Sequence, residues 1–314
     1  MSGEGGLVHW DDVEPERDDE GHFGAAWRRL GRAAGCAEVA VNRIEVSPGR
    51  WSTPAHVEDE EIFFVLGGSG LSWQNGKVYE VREGDCIVHR ARREAHTLRG
   101  GEEGLDVLVF GRRAADAHAT LPRAGVTWLG SSWVASGQGE HPWDQEAAAG
   151  EPEIDEVEER PPNIVNVDDL EQERWIDLAD AAGSVKSGLN VVTVGAGKLP
   201  APAHCHSAEE EIFVVLEGDG TLELVPSPRA RDRGHEEEHV AIRAGHVVAR
   251  PARTQISHAF RGGDNGMKML MYGWRDTNDI TYYPRSNKIG FRGVGLMTRL
   301  EPLDYWDGEA EEPG

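Results

Sequence analysis

The sequence predicts an all-β protein in two tandem copies of one sandwich- or barrel-like domain, joined by an acidic linker. Three observations carry this. Short apolar or β-branched runs recur along the chain, punctuated by Gly, Pro or Asp. Most of the first half recurs in the second. Long helical periodicity and strand–helix alternation are both missing.

Taken in order, residues 1–24 are acidic and Gly-rich, and read as a loose arm. Copy one runs over 25–146, with strands expected at Val39–Val46, Glu61–Leu66, Leu71–Gln74, Val78–Val81, Cys86–His89 and Leu105–Phe110. Residues 147–169 have the composition of a solvated linker, many acids with Pro161-Pro162 among them. Asp168 and Asp169 then stand where they would cap a short helix within 170–180. Copy two runs over 170–308, with strands expected at Asn190–Val194, Glu211–Leu216, Thr221–Val225, His239–Ile242, His246–Ala249 and Met267–Tyr272. Residues 309–314 are a tail. Gly195-Ala196-Gly197 is not a dinucleotide loop, because no third Gly and no helix follow.

The repeat is specific. Trp27, Asn42, Pro54, Ala55 and His56 recur 148 residues later as Trp175, Asn190, Pro202, Ala203 and His204. Glu61-Ile62-Phe63 recurs 150 residues later as Glu211-Ile212-Phe213. After an 11-residue insertion in the charged loop 227–238, His96 and Phe110-Gly111 recur at 162 as His258 and Tyr272-Gly273.

With 314 residues there is room for two domains, each with its own core. The net charge of −24 argues against nucleic acid and against docking on anionic membranes. Cys36, Cys86 and Cys205 are odd in number and form no CxxC pair, which fits a reducing compartment. The polar N-terminus lacks a signal-peptide pattern and no apolar run approaches a membrane span, so a cytoplasmic location is expected.

The chemistry concentrates in Pro202–Gly218. His204 and His206 share a strand face if this stretch is extended, leaving Cys205 on the other face. Glu211 follows a short polar turn, Gly218 follows that, and a second block runs from Gly245 through Pro251 to His258. Two imidazoles and a carboxylate on one face suit a divalent metal, with a further ligand from a distant strand.

These motifs resemble those of the cupin superfamily, and two copies resemble a bicupin. The family's first motif is matched by Gly197, His204-Cys205-His206, Glu211 and Gly218, with a lead-in one residue longer than usual. The second is matched by Gly245, Pro251 and His258, with Arg253 in place of a Gly and the His two residues late. The resemblance implies double-stranded β-helix (jelly-roll) barrels, and metal binding at His204, His206, Glu211 and His258. Copy one departs further. It keeps His56, Glu61 and His96, lacks one His, and has Arg90 where copy two has Pro251. From one side His56 aligns with His204, from the other with His206. These three residues are either polar core groups of a degenerate barrel or a two-His, one-carboxylate site with open positions.

Other features read as structural. Met267, Met269 and Met271 alternate along one strand as barrel filling or a pocket wall. Arg123 and Arg285, in equivalent Pro-Arg pairs, pair with acids or grip a substrate carboxylate. His235 reads as solvated surface, and Trp128, Trp133 and Trp143 as packing between barrel and linker.

The expected cofactor is one divalent metal, Fe(II) or Mn(II) by preference, with Zn(II), Ni(II), Co(II) or Cu(II) also accommodated. The expected function is a metal-dependent oxidoreductase of dioxygenase type on a small oxygenated organic molecule. The alternatives are a redox-neutral isomerase, decarboxylase or lyase, or a binding protein without chemistry. The expected partner is a small-molecule substrate; a homo-oligomer is compatible with the sequence.

Overall fold

The computed structural model describes residues 6–113, 118–129, 132–135, 142–154, 156–303 and 306–308, without the side chains of Leu129, Ser132, Trp133, Ala135 and Pro142. Each half is a β-barrel built on two long bent strands. In the first, Glu61–Gln74 pairs with His96–Arg112 along nearly its whole length. At one end Glu61–Gln74 also pairs with Asp85–His89, and at the other with Lys77–Arg82. In the second, Glu211–Pro226 pairs with Ile256–Trp274, and takes His246–Arg250 and Glu238–Arg243 at its two ends. The short strands expected at Glu61–Leu66 and Leu71–Gln74 are therefore one strand, bent at Gly67–Gly70. Register shifts mark the bend, and a Cβ on Gly68 would lie 2.4 Å from the Gly104 carbonyl oxygen. Gly218 does the same work in the second barrel, 2.1 Å from the Gly266 oxygen.

Both faces of these long strands are buried, which explains runs as apolar as Ile62–Val65. Phe63 and Val65 face their own barrel core with Ile44, Leu98, Val107 and Val109. Ile62 and Phe64 face the other way, into a core shared by both halves with Leu108, Ile212, Val214 and Leu270. At its centre the equivalent residues Phe110 and Tyr272 stack, ring centroids 5.2 Å apart. Around it two equivalent glutamates reach across. The Glu210 carboxylate accepts from the backbone N–H groups of Ala37, Glu38 and Val39 at 2.6–2.9 Å. Glu60 accepts from the N–H groups of Val185, Lys186 and Ser187 and from the Ser184 and Ser187 hydroxyls.

The arm over 1–24 is not loose where it is described. Leu7–His9 forms a strand against His246–Arg250 of the second barrel. The linker behaves likewise: Ile164–Asn166 pairs with Asp85–His89 of the first barrel. The two segments are themselves a repeat, Leu7–Arg17 against Ile164–Arg174. Each ends in a short 3-10 turn, and each sends an N–H to the turn glycine of the barrel it joins. These are Trp10 to the Gly245 carbonyl and Val167 to the Gly84 carbonyl, both 2.9 Å. Each barrel thus borrows an edge strand from the segment preceding the other, which covers an otherwise open edge. Arg43 lies 4.4 Å over the Trp10 ring, pinning the arm against the first barrel as well.

The helix expected after Asp168 begins later, at Leu178–Ala181, because Asp177 is the residue whose carboxylate caps it, accepting from the Asp180 N–H. A helix at Pro142–Ala148 occupies the junction of copy one and the linker. Beyond the second barrel, Ile280–Tyr283, Lys288–Phe291 and Leu296–Arg299 form a sheet with Cys205–His206, which the strand pattern did not reveal. Among the described residues no helix is long and apolar enough to cross a membrane. The tail 309–314 and the Trp133 side chain lie outside the described residues.

Candidate metal centres

In the second barrel the extended stretch around Cys205 aims His204 and His206 into the barrel, while Glu211 opens one long strand and His258 lies near the start of the other. The structure brings the four together. Glu211 Oε2 lies 3.2 Å from His206 Nε2 and 3.1 Å from His258 Nε2. His204 clusters with Glu211 and His258, their nearest polar atoms within 4.8 Å of one another. Nδ1 of His204 faces the Pro202 carbonyl at 2.8 Å, which turns its Nε2 inward. His206 Nδ1 lies 2.7 Å from Asp279, a buried carboxylate that also accepts N–H bonds from Ser207, Ala208 and Glu209.

His206 Nε2, Glu211 Oε2 and His258 Nε2 are buried without a well-formed hydrogen bond. Two ligands about 2.1 Å from one ion and at right angles to each other sit about 3 Å apart. The separations therefore fit a shared cation, and the donor set, three imidazoles and one carboxylate, suits a first-row divalent metal. Burial opposes charge on His206, yet Glu211 and Asp279 overrule it and raise it to about 10. Burial alone dominates at His258, lowering it to about 3. Burial pushes Glu211 up, but His206 and His258 hold it well below the ordinary carboxylate range. A cation that binds here displaces the proton that Glu211 and Asp279 favour on His206.

The four residues line one side of a cavity of about 260 Å³. Its apolar wall is Phe213, Phe260, Met269 and Met271; Tyr283 and Arg292 close it from the C-terminal sheet. Tyr283 stacks on His204 at 5.7 Å, and Arg292 pairs with buried Glu209 at 2.9 Å. Asp279, Tyr283 and Arg292 were invisible to spacing arguments, since they reach the site from the segment that follows the last long strand and fall in no motif. Cys205 points away, towards Ser257 and Arg250, and burial raises its thiol. Arg285 pairs with Glu223 and Glu237, and Arg123 with buried Glu146, so both pair with acids. His235 is half-exposed in its loop.

In the first barrel Glu61 Oε2 lies 3.1 Å from His56 Nε2 and 2.9 Å from His96 Nε2. Burial opposes charge on His56, but Glu61 raises it to about 9, while burial lowers His96 to about 3. The structure decides the alignment of His56. It bridges His96 as His204 bridges His258, and its Nδ1 faces the Pro54 carbonyl as His204 Nδ1 faces that of Pro202. One further residue was missed: His89, buried, stacks on His96 with centroids 3.7 Å apart and planes 4° apart. Trp128 and Trp143 line this barrel's cavity of about 460 Å³ and are not merely linker packing.

Comparison with known proteins agrees with this architecture. A family model described as the cupin domain matches residues 42–110, within the first barrel. Auxin-binding protein T92 of Nicotiana tabacum is 36% identical over 85 residues, 24% of this chain and 45% of that protein, so the match spans less than half of that relative. The oxalate decarboxylase of Bacillus subtilis superposes with a TM-score of 0.58 at 16% identity, over 87% of this chain and 76% of that one. Another structure of that enzyme, at 15% identity and a TM-score of 0.57 over 87% of this chain and 78% of that one, concerns its Mn(II) centres. The Lactobacillus farciminis oxalate decarboxylase formate complex gives 0.57 at 16% identity, over 85% of each chain. Residues 42–110 thus match a cupin domain, and the two jelly-roll barrels together share the two-barrel fold of the bicupin oxalate decarboxylases.

Proposed function

We propose that the second barrel is the site of a metal-dependent enzyme acting on a small oxygenated organic acid, by redox-neutral cleavage of the decarboxylase or lyase kind. The observation that carries this reading is the wall opposite the candidate ligands, where Tyr283 and Arg292 share the cavity with His204, His206, Glu211 and His258. A bound Mn(II) or Fe(II) ion would supply Lewis acidity for the oxygens of the substrate.

The chain's own residues account for the rest. Arg292, anchored by Glu209, presents a guanidinium to a substrate carboxylate. The Tyr283 hydroxyl, on a ring fixed against His204, is the proton donor for the carbon that loses CO₂, and regains its proton from solvent. Phe213, Phe260, Met269 and Met271 exclude water and strengthen both interactions. The cavity, below the usual range for drug-sized ligands, suits a substrate of a few heavy atoms. The name of the oxalate decarboxylases supports a small carboxylic acid as the first class to try.

The second reading is the dioxygenase-type oxidoreductase, favoured by the methionine-lined wall and by coordination positions that a four-residue set leaves open. One experiment separates them. Metal-loaded protein is offered small dicarboxylic, hydroxy and keto acids, catechols and diketones, with and without O₂, while CO₂ release and O₂ uptake are followed. Metal-dependent CO₂ release without O₂ supports the first reading, and stoichiometric O₂ uptake the second. A metal-loaded protein inert towards the whole panel refutes both.

A further inference from the structure

The first barrel lacks the second histidine of the motif, and the sequence alone leaves open which residue took its place. Backbone contacts answer this. Val57 bridges Thr120 as Cys205 pairs with Tyr282, each the residue after the first histidine meeting the strand beyond the barrel. The next residue in each barrel has a carbonyl that accepts an arginine N–H: Arg92 to Glu58 at 2.8 Å and Arg253 to His206 at 3.0 Å. Both arginines have left-handed backbone, φ 58° and 64°. Glu58 therefore occupies the position of His206, and the two residues missing from copy one come out of the turn that follows.

Glu58 lines the same cavity as His56 and Glu61, and its carboxyl hydrogen-bonds that of Glu61. His56, Glu58 and Glu61, with His96 bonded to Glu61 behind them, thus gather two carboxyls and two imidazoles at a cavity of about 460 Å³, whose wall also includes Trp27, Ile44, Phe63 and Val109.

We propose that the first barrel is a second, chemically distinct metal site, in which Glu58 replaces the second histidine and His56, Glu58, Glu61 and His96 form a two-imidazole, two-carboxylate ligand set for a divalent cation. Relative to the second barrel, one neutral nitrogen donor is exchanged for an anionic oxygen donor. The set is harder and carries one more negative charge, which shifts preference towards Mn(II) and away from the nitrogen-favouring Zn(II), Ni(II) and Cu(II). One chain then holds two sites of the same geometry with different selectivity.

The test uses the full-length protein and Mn(II), with metal per chain and affinity read by elemental analysis, titration calorimetry and electron paramagnetic resonance. His206→Ala disables the second barrel, and this variant is expected to keep one Mn(II) per chain. Adding Glu58→Ala to it should weaken the remaining site at least about tenfold. Adding Glu58→His instead should keep a site and turn its preference from Mn(II) towards Zn(II), which a misfolded barrel would not do. Unchanged Mn(II) affinity in the Glu58→Ala double variant, or no bound Mn(II) in His206→Ala, overturns the proposal. If His206→Ala binds as much metal as the parent chain, and Glu58→Ala then removes it, the first-barrel site stands while the ligand assignment in the second barrel fails.

Discussion

Removing the Glu60 carboxylate should loosen the two barrels from each other without touching either candidate centre directly. Glu60 is fully buried, and five donors of the opposite barrel converge on it. Oε1 takes four: Ser184 Oγ and Ser187 Oγ at 2.7 Å, and the N–H groups of Ser187 at 3.1 Å and Lys186 at 3.3 Å. Oε2 takes only the Val185 N–H, at 3.1 Å. In Glu60→Ala the Ser184 hydroxyl can turn wholly to the Ser187 carbonyl, already 2.7 Å away. The Ser187 N–H likewise keeps Ser184 Oγ at 3.3 Å. The N–H groups of Val185 and Lys186 have no such alternative, and a buried orphan costs about 1–3 kcal/mol. With some relief from entering water, the loss should be about 2–5 kcal/mol. At about 2–4 °C per kcal/mol for a chain approaching this size, the melting temperature falls by roughly 4–20 °C. Glu60→Gln should cost less, about 1–3 kcal/mol, because its carbonyl can keep the four bonds of Oε1 while its NH₂ meets one N–H.

The two variants also differ from the parent in acid. Burial works to raise Glu60, but the serine hydroxyls and amides hold it below its ordinary value of 4.5. A depressed carboxylate contributes stability that is complete above its unfolded pKa and lost as pH falls through the folded one. The parent should therefore lose stability below about pH 4.5 by a slope that Glu60→Gln lacks. Denaturant and calorimetric unfolding from pH 3 to 7 measure both effects. A Glu60→Ala protein that melts within about 1 °C of the parent would show that the clamp carries no stability, and the reasoning would be wrong.

Two further predictions follow from single contacts. Asp279→Asn should weaken metal binding by the second barrel about 10- to 100-fold in calorimetric titration, with little change in the first, because the residue fixing the His206 ring is altered; equal affinities would remove Asp279 from that role. Gly245→Ala should release the N-terminal arm, since its Cβ would fall 2.4 Å from His9 Nε2 at a backbone φ of 90°. Gly35→Ala is the control, with a φ of 82° but open space around its Cβ. Only the first should speed proteolysis within 10–24, and equal rates in both would refute a docked arm.

Much of this molecule was legible before its coordinates. The duplication and the strands on the repeat follow from spacing, because a strand face and a repeated motif are both periodic signals, while the set His204, His206, Glu211 and His258 came with the resemblance to the cupin motifs. What escaped lacked such a signal. Leu7–His9 and Ile164–Asn166 are three residues long, too short for alternation to show, and sit in acidic surroundings that resemble solvated linker. Glu60 and Glu210 stand in runs of acids, where composition suggests surface; only the opposing barrel makes them buried acceptors. Glu58 was hidden by a two-residue gap that slid the alignment of His56. Asp279 contacts His206 across 73 residues of sequence, and no local pattern announces such a pairing.

The crosswise exchange of edge strands also has a meaning in time. A chain emerging from the ribosome makes Leu7–His9 long before the strand it pairs with, His246–Arg250. The first barrel, for its part, cannot complete its sheet until Ile164–Asn166 has appeared, well after its own last long strand. Domain-by-domain folding during synthesis is the common route for tandem proteins. Here neither half can be finished before the other has begun. The early strand has to be held without a partner while all of the first barrel and most of the second are made, and its acidic flank is suited to keeping it from pairing elsewhere.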